Sequence, residues 1–176
     1  MALPDSFKVS QGTAIVWGES GASGVTHTLS FDALGNGSAI QGASADLTEN
    51  WDRDYAVYLI IKTGTAPTAG NTVDLYLISS RDGSEWPAKV TGTAGSYTLG
   101  TSDANLRQAG PAVTSLVATA DANTVLIQAP VVWRPIGRYV APITDNNLGV
   151  AVRDETTATD NASRVILVPL IDKVVD

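Results

Sequence analysis

The sequence predicts an all-β chain: an antiparallel two-sheet β-sandwich of jelly-roll type, preceded by an extended N-terminal arm. Three observations carry this reading. Short apolar runs with period-two alternation recur along the chain, bounded by Gly, Pro, Asn and Asp turns. Amphipathic helical patterning is almost absent. With 176 residues, 44% hydrophobic and only 16% charged, the chain can bury one sizeable core and lies outside the composition of disordered segments.

Residues 1–24 are rich in Gly, Ser and Ala, with one apolar stretch, Thr13 to Trp17. They are read as an arm containing one strand, ahead of a single domain over 25–176. The first clear alternation is Thr26 to Asp32, with His27, Leu29 and Phe31 on one face. Gly35 to Ser38 form a turn, and a weaker strand lies within Ser38–Thr48. Tyr55–Thr63 is apolar on both faces, as expected of a central strand with something packed over its outer side. Thr72–Ser80 alternates, with Val73, Leu75 and Leu77 inward and Asp74 and Tyr76 outward. Residues 91–110 lack a strong period and read as a long loop with one helical turn near Asp103–Arg107. Further strands are expected at Ala112–Ala120, Thr124–Ala129, Arg138–Thr144, Leu148–Arg153 and Arg164–Ile171. Pro142 and Pro169 inside such runs call for edge positions or bulges. About eight to ten short strands result, and the jelly roll is the common eight-strand solution.

Composition excludes several function classes. The net charge is −7, from 18 acidic and 11 basic residues, and no two basic residues are adjacent. Nucleic acid and anionic membranes want a basic patch, so neither is an expected partner. No apolar run approaches the roughly 20 residues of a membrane span. Met1 to Lys8 carry no basic segment followed by an apolar one, so no secretory signal is read, and the sequons at Asn36 and Asn161 are chance matches. Without cysteine there is no disulfide, zinc–thiolate site or cysteine nucleophile, which fits synthesis in a reducing cytoplasm.

No catalytic constellation is legible. His27, the single histidine, lies in an alternating strand and is read as structural, since no nucleophile elbow accompanies it. Glu49, Asp52 and Asp54 around Arg53, Asp82 with Glu85, and Asp154-Glu155 with Asp160 could offer oxygen ligands to calcium. None has EF-hand spacing, so they are read as solvated loops and a turn. No carboxylate pair is singled out for glycosidase chemistry, no phosphate loop is present, and no cofactor is expected. Trp17, Trp51, Trp86 and Trp133 lie in or beside loops. They either cap the sandwich or fill an interface, or present platforms for sugar rings.

The stretch 55–87 carries a distinctive phrasing: Tyr55 to Thr63, a Lys62-Thr63-Gly64 to Ala66-Pro67 loop, the strand Val73-Asp74-Leu75-Tyr76-Leu77, and an Asp82-Gly83 turn. It resembles the capsid decoration (cement) proteins of tailed bacteriophages, small jelly-roll structural proteins. Arg138 to Ile143, Leu148–Arg153 and Arg164–Ile171 have a compatible layout, whereas 88–110 is longer than that pattern. The resemblance implies an adhesive protein, not an enzyme. It would be made in the host cytoplasm, sit on the outer capsid surface, and bind the major capsid protein so as to bridge neighbouring subunits. It also implies self-association, as a trimer before a dimer. In the arm, Phe7, Val9, Ile15, Val16 and Trp17 are the apolar anchors available to a neighbouring subunit or the capsid. The competing reading is a strand that completes one sheet of its own domain. Two other classes stay open: a carbohydrate-binding module of a tail or appendage, and a glycan-active enzyme.

Overall fold

The structure, a computed structural model, describes residues 6–32, 34–48, 51–98, 104–121, 125–153 and 163–175. It is a β-sandwich-like all-β fold of two largely antiparallel sheets. The strands are β1 (Ser6–Gln11), β2 (Ile15–Gly18), β3 (His27–Thr28), β4 (Ser38–Gln41), β5 (Ala45–Asp46), β6 (Tyr55–Lys62), β7 (Thr72–Ser80), β8 (Gly95–Tyr97), β9 (Thr114–Val117), β10 (Val125–Ile127), β11 (Val131–Trp133), β12 (Tyr139–Asn146) and β13 (Arg164–Val175). A 3-10 turn at Pro87–Lys89 and one helix, α1 (Ala104–Ala109), complete the elements.

The first sheet runs β10-β6-β13-β2-β3, with β11 also on β6 and β1 also on β13. The second runs β8-β4-β12-β7-β9, with β5 also on β12. The core lies between them. Val57, Leu59, Ile61, Val165 and Leu167 of the first sheet meet Val73, Leu75, Leu116 and Val140 of the second, all buried. Trp17 is fully buried in the same cluster, and its indole N–H donates to the Ala43 carbonyl at 2.7 Å. β9 and most of β6 and β7 bury alternate residues, as a half-buried strand does, whereas β12 is buried throughout Val140–Asn146 because its outer side is covered too.

Both prolines inside long strands sit where the neighbouring strand breaks in two. The Pro142 carbonyl accepts from Gly42 N at 2.9 Å, in the gap between β4 and β5. The Pro169 carbonyl accepts from Gly12 N at 3.0 Å, in the gap between β1 and β2. The N and C=O of a strand residue point to the same side, so each missing N–H faces a bulge and costs no ladder bond. The register across each gap shifts by one residue, the signature of such a bulge.

Several expectations need correction. Residues 1–24 contain two strands, and both pair with β13 of the same chain. Leu148–Arg153 is not a strand, apart from a single bridge of Val152 to Thr63. Side-chain amides take its first two donors, Leu148 N bonding Asn146 Oδ1 and Gly149 N bonding Asn36 Oδ1, while Gly149 has φ +81° and Val152 N and Arg153 N donate to the Leu34 and Lys62 carbonyls. The expected strand within Ser38–Thr48 is split into β4 and β5, and the short β11 had no sequence signal.

Candidate functional site

The two sheets differ in how their outer faces are covered. On the second sheet, Ala39, Ile78, Ala141 and Ile143 are buried beneath Val90 and Tyr97, with Trp86 and Ala109 packed against them. The cover is made by Trp86 and Val90 at the two ends of the 3-10 turn and by Ala109 of α1, with Tyr97 reaching over from β8, the edge strand of the same sheet. The Tyr97 hydroxyl donates to the Ala88 carbonyl and Asn105 donates to the Thr98 carbonyl, which ties the cover to itself. The long stretch read as a loop is therefore a lid over one sheet.

The first sheet has no such cover among the described residues. Its outward residues fall into cross-strand rows set by register. Ile166 stands between Val16 and Tyr58, Val168 is level with Ala56 and Val132, and Arg164 is level with Ile60 and Ile127. Val16, Tyr58, Ile60 and Ile166 are half-buried. Val125, Ile127 and Val132 are exposed, the last two by 66% and 68%. Ala56 and Val168 are already buried, so the apolar surface left for docking is chiefly that of Val125, Ile127 and Val132, and fully burying one exposed Val or Ile is worth about 1.5–3 kcal/mol.

The five arm residues proposed as anchors fall in three settings. Phe7 and Val9 lie in β1, opposite Val174 and Asp172 of β13. Val16 faces outward on the uncovered sheet, and Ile15 packs against the core. Trp17 is wholly inside the chain's own core, which leaves none of its surface for a partner. Beyond Leu170, β13 has β1 as its strand partner, so Ser6–Gln11 and Leu170–Val175 form a two-stranded ribbon continuing the first sheet.

The other tryptophans divide likewise. Trp133 packs on Tyr55, with ring centroids 6.5 Å apart, and burial pushes the Tyr55 hydroxyl up to about 12. Trp86 donates from its indole to the Gly83 carbonyl at 2.9 Å. Trp51 alone is an exposed platform among the four. It stands at one end of the sandwich, close to two ion pairs. Arg134 Nε meets Asp54 Oδ1 at 2.6 Å, and Arg138 holds both oxygens of Asp46 at 2.7 and 2.6 Å. The Arg138 guanidinium holds the Asp46 carboxyl below its ordinary value.

His27 is half-buried against the Trp17 ring, at 5.6 Å between centroids, with Nδ1 2.9 Å from Thr26 Oγ1. Burial pushes it below its ordinary value. Asp82 organises the expected turn: its Oδ1 accepts from Ser84 N and Glu85 N, and these bonds hold its carboxyl down at about 2. Among the described residues no three acidic or histidine side chains converge as a metal site, and no helix is long and apolar enough to cross a membrane. Glu49 and the cluster Asp154-Glu155 with Asp160 lie outside the described residues.

No family model matches the sequence, and no curated protein and no solved structure matches it significantly.

Proposed function

We propose that this chain is a non-enzymatic virion structural protein of the bacteriophage capsid-decoration type, with a jelly-roll topology. It binds the outer head surface, self-associates as a trimer, and bridges major capsid protein subunits.

The topological part rests on strand pairing. The first half of the chain pairs with the second half in reverse order: β1 and β2 with β13, β4 and β5 with β12, β6 with β10 and β11, β7 with β9. That is one long antiparallel ribbon. Rolling it up brings β6 beside β13 and β7 beside β12, which closes the two sheets. That pairing supports the jelly-roll reading, an arrangement common in viral capsid domains, with β3, parallel to β2, and β8, on β4, lying outside the ribbon.

The adhesive part rests on one observation, the uncovered apolar face of the first sheet. A face of that kind is what a clamp between subunits needs, because its binding free energy is released only on docking. Several copies in one oligomer would make weak single contacts effective, since each later contact is intramolecular. The identity of the partner rests on the resemblance in 55–87. The test is to add purified protein to undecorated phage heads and separate bound from free by sedimentation. Saturable binding with a fixed number of copies per head is the expected result. Absence of binding to heads, with intact folding, sinks the decoration reading.

A further inference from the structure

At the sandwich end that carries the two ion pairs, Trp51, Arg81, Ile136, Gly137 and Arg138 line an open cleft of about 430 Å³. That is within the roughly 300–1,000 Å³ of small-ligand sites. Its walls are of three kinds. Trp51, 46% exposed, offers a flat indole face, and Ile136, 91% exposed, offers an aliphatic wall. Two guanidinium groups supply the charge. Arg138 is fixed by Asp46 through Nε and Nη2 and lies over the Tyr139 ring at 5.4 Å, so it is pre-oriented with further N–H groups to donate. Arg81 is exposed and has no hydrogen-bond or ion-pair partner among the described residues. Its neighbour Asp82 makes no ion pair with it, the Oδ1 of that carboxylate accepting from Ser84 N and Glu85 N of its own loop. The loop bearing Ile136 and Arg138 is seated firmly: a Cβ on Gly137 would come within 2.5 Å of the Ser80 carbonyl oxygen.

We propose that this cleft binds a carboxylate-bearing sugar, with the pyranose stacked on Trp51 and its carboxylate forked by Arg81 and Arg138. The C–H face of a pyranose matches a flat indole, and the guanidinium fork matches a carboxylate bidentately. A compact ring fits better than an extended acidic peptide. A cleft of this volume encloses one ring. β12 is paired on both sides at this end, by β5 and β7, but β7 beyond Leu75 has β12 alone among the described residues, so an acidic peptide is one arm of the test. The proposal is independent of the decoration reading.

The test is calorimetric titration of the full chain with trigalacturonate and with sialyllactose. Maltotriose serves as the neutral sugar and triglutamate as the acidic peptide. At least one carboxylated sugar should bind, more tightly than maltotriose and more weakly as salt rises. Arg81→Ala and Trp51→Ala should each weaken it at least about tenfold, the scale of a lost hydrogen bond to a charged group. Arg81→Lys and Trp51→Phe should retain part of the affinity, and all four variants should melt as the parent does. No binding of either carboxylated sugar at millimolar concentration overturns the proposal. So does binding indifferent to both alanine substitutions, or equal binding of maltotriose. Triglutamate binding as tightly through the same two residues assigns the cleft to acidic peptides instead.

Discussion

Gly42 shows how a single missing methyl can decide local packing. A Cβ there would meet Pro142 Cγ at 2.8 Å and Trp17 Cδ1 at 2.9 Å. Both neighbours are immobile, one a ring in a central strand and the other a wholly buried indole bonded to Ala43. Gly42→Ala should therefore cost about 1–3 kcal/mol, the range for overpacking a filled core. Urea denaturation reads this as a lowered midpoint with unchanged slope; an unchanged midpoint would mean that the bulge can relax. Asp82 makes a prediction in pH instead. Its folded-state pKa, about 2, lies below the ordinary 3.8, so its stabilising bonds are fully present above the ordinary value and are lost as pH falls towards 2. The stability difference between the parent and Asp82→Asn should shrink across that window. A difference that stays constant with pH would show that the carboxylate charge plays no part in the turn.

At the scale of elements, what was legible followed from side-chain period. The inward set of β7 was readable because alternation reports burial directly, whereas the apolar outer side of β6 announced a covering layer that the described residues do not supply. What was not legible depended on partners distant in sequence. Leu148–Arg153 has strand-like composition, but Asn36 and Asn146 bond its first two backbone donors, and no local pattern announces that. The cleft at Trp51 was missed for a related reason. Its residues come from the loop before β6, the turn after β7 and the loop before β12, and the local hints were Trp51 itself, one of four candidate sugar platforms, and an apolar residue bracketed by Arg134-Pro135 and Gly137-Arg138. The arm was half legible: its apolar stretch and a strand completing a sheet of its own domain were among the readings, but the strand it pairs with, β13, was not. The ribbon of β1 and the end of β13 is a two-stranded element, which is marginal in water unless something covers it. Deleting residues 1–12 removes half of that ribbon and leaves β2, Trp17 and the core in place. The truncated protein should melt close to the parent and lose head binding or self-association. A large fall in melting temperature would make β1 a structural strand of its own domain. Full binding after the deletion would end the latch reading.

For the whole molecule, the asymmetry between the two outer faces is the fact with functional content. Residues 86–98 and 104–109 supply the side chains that cover the second sheet, and among the described residues the first sheet has no comparable cover. A bare apolar face in a chain of net charge −7 is tolerable only if charge elsewhere keeps copies from random association, or if the face has a fixed partner. A second and third copy of the same chain are the nearest candidates for part of it. Ile166 is the place to test this, because it stands in the middle of its row between Val16 and Tyr58 on a strand paired on both sides. Lysine there can lay its aliphatic stem on the sheet and lift its charge into water, so the fold should survive. Docking of a second face onto it would bury that charge without a partner and should fail. Sedimentation of the parent should show a trimer at micromolar concentration, and Ile166→Lys should sediment as a monomer with an unchanged circular dichroism spectrum. A parent that is monomeric at that concentration removes self-association from the proposal. A trimer that survives Ile166→Lys moves the contact to another surface and leaves the apolar face for the capsid alone.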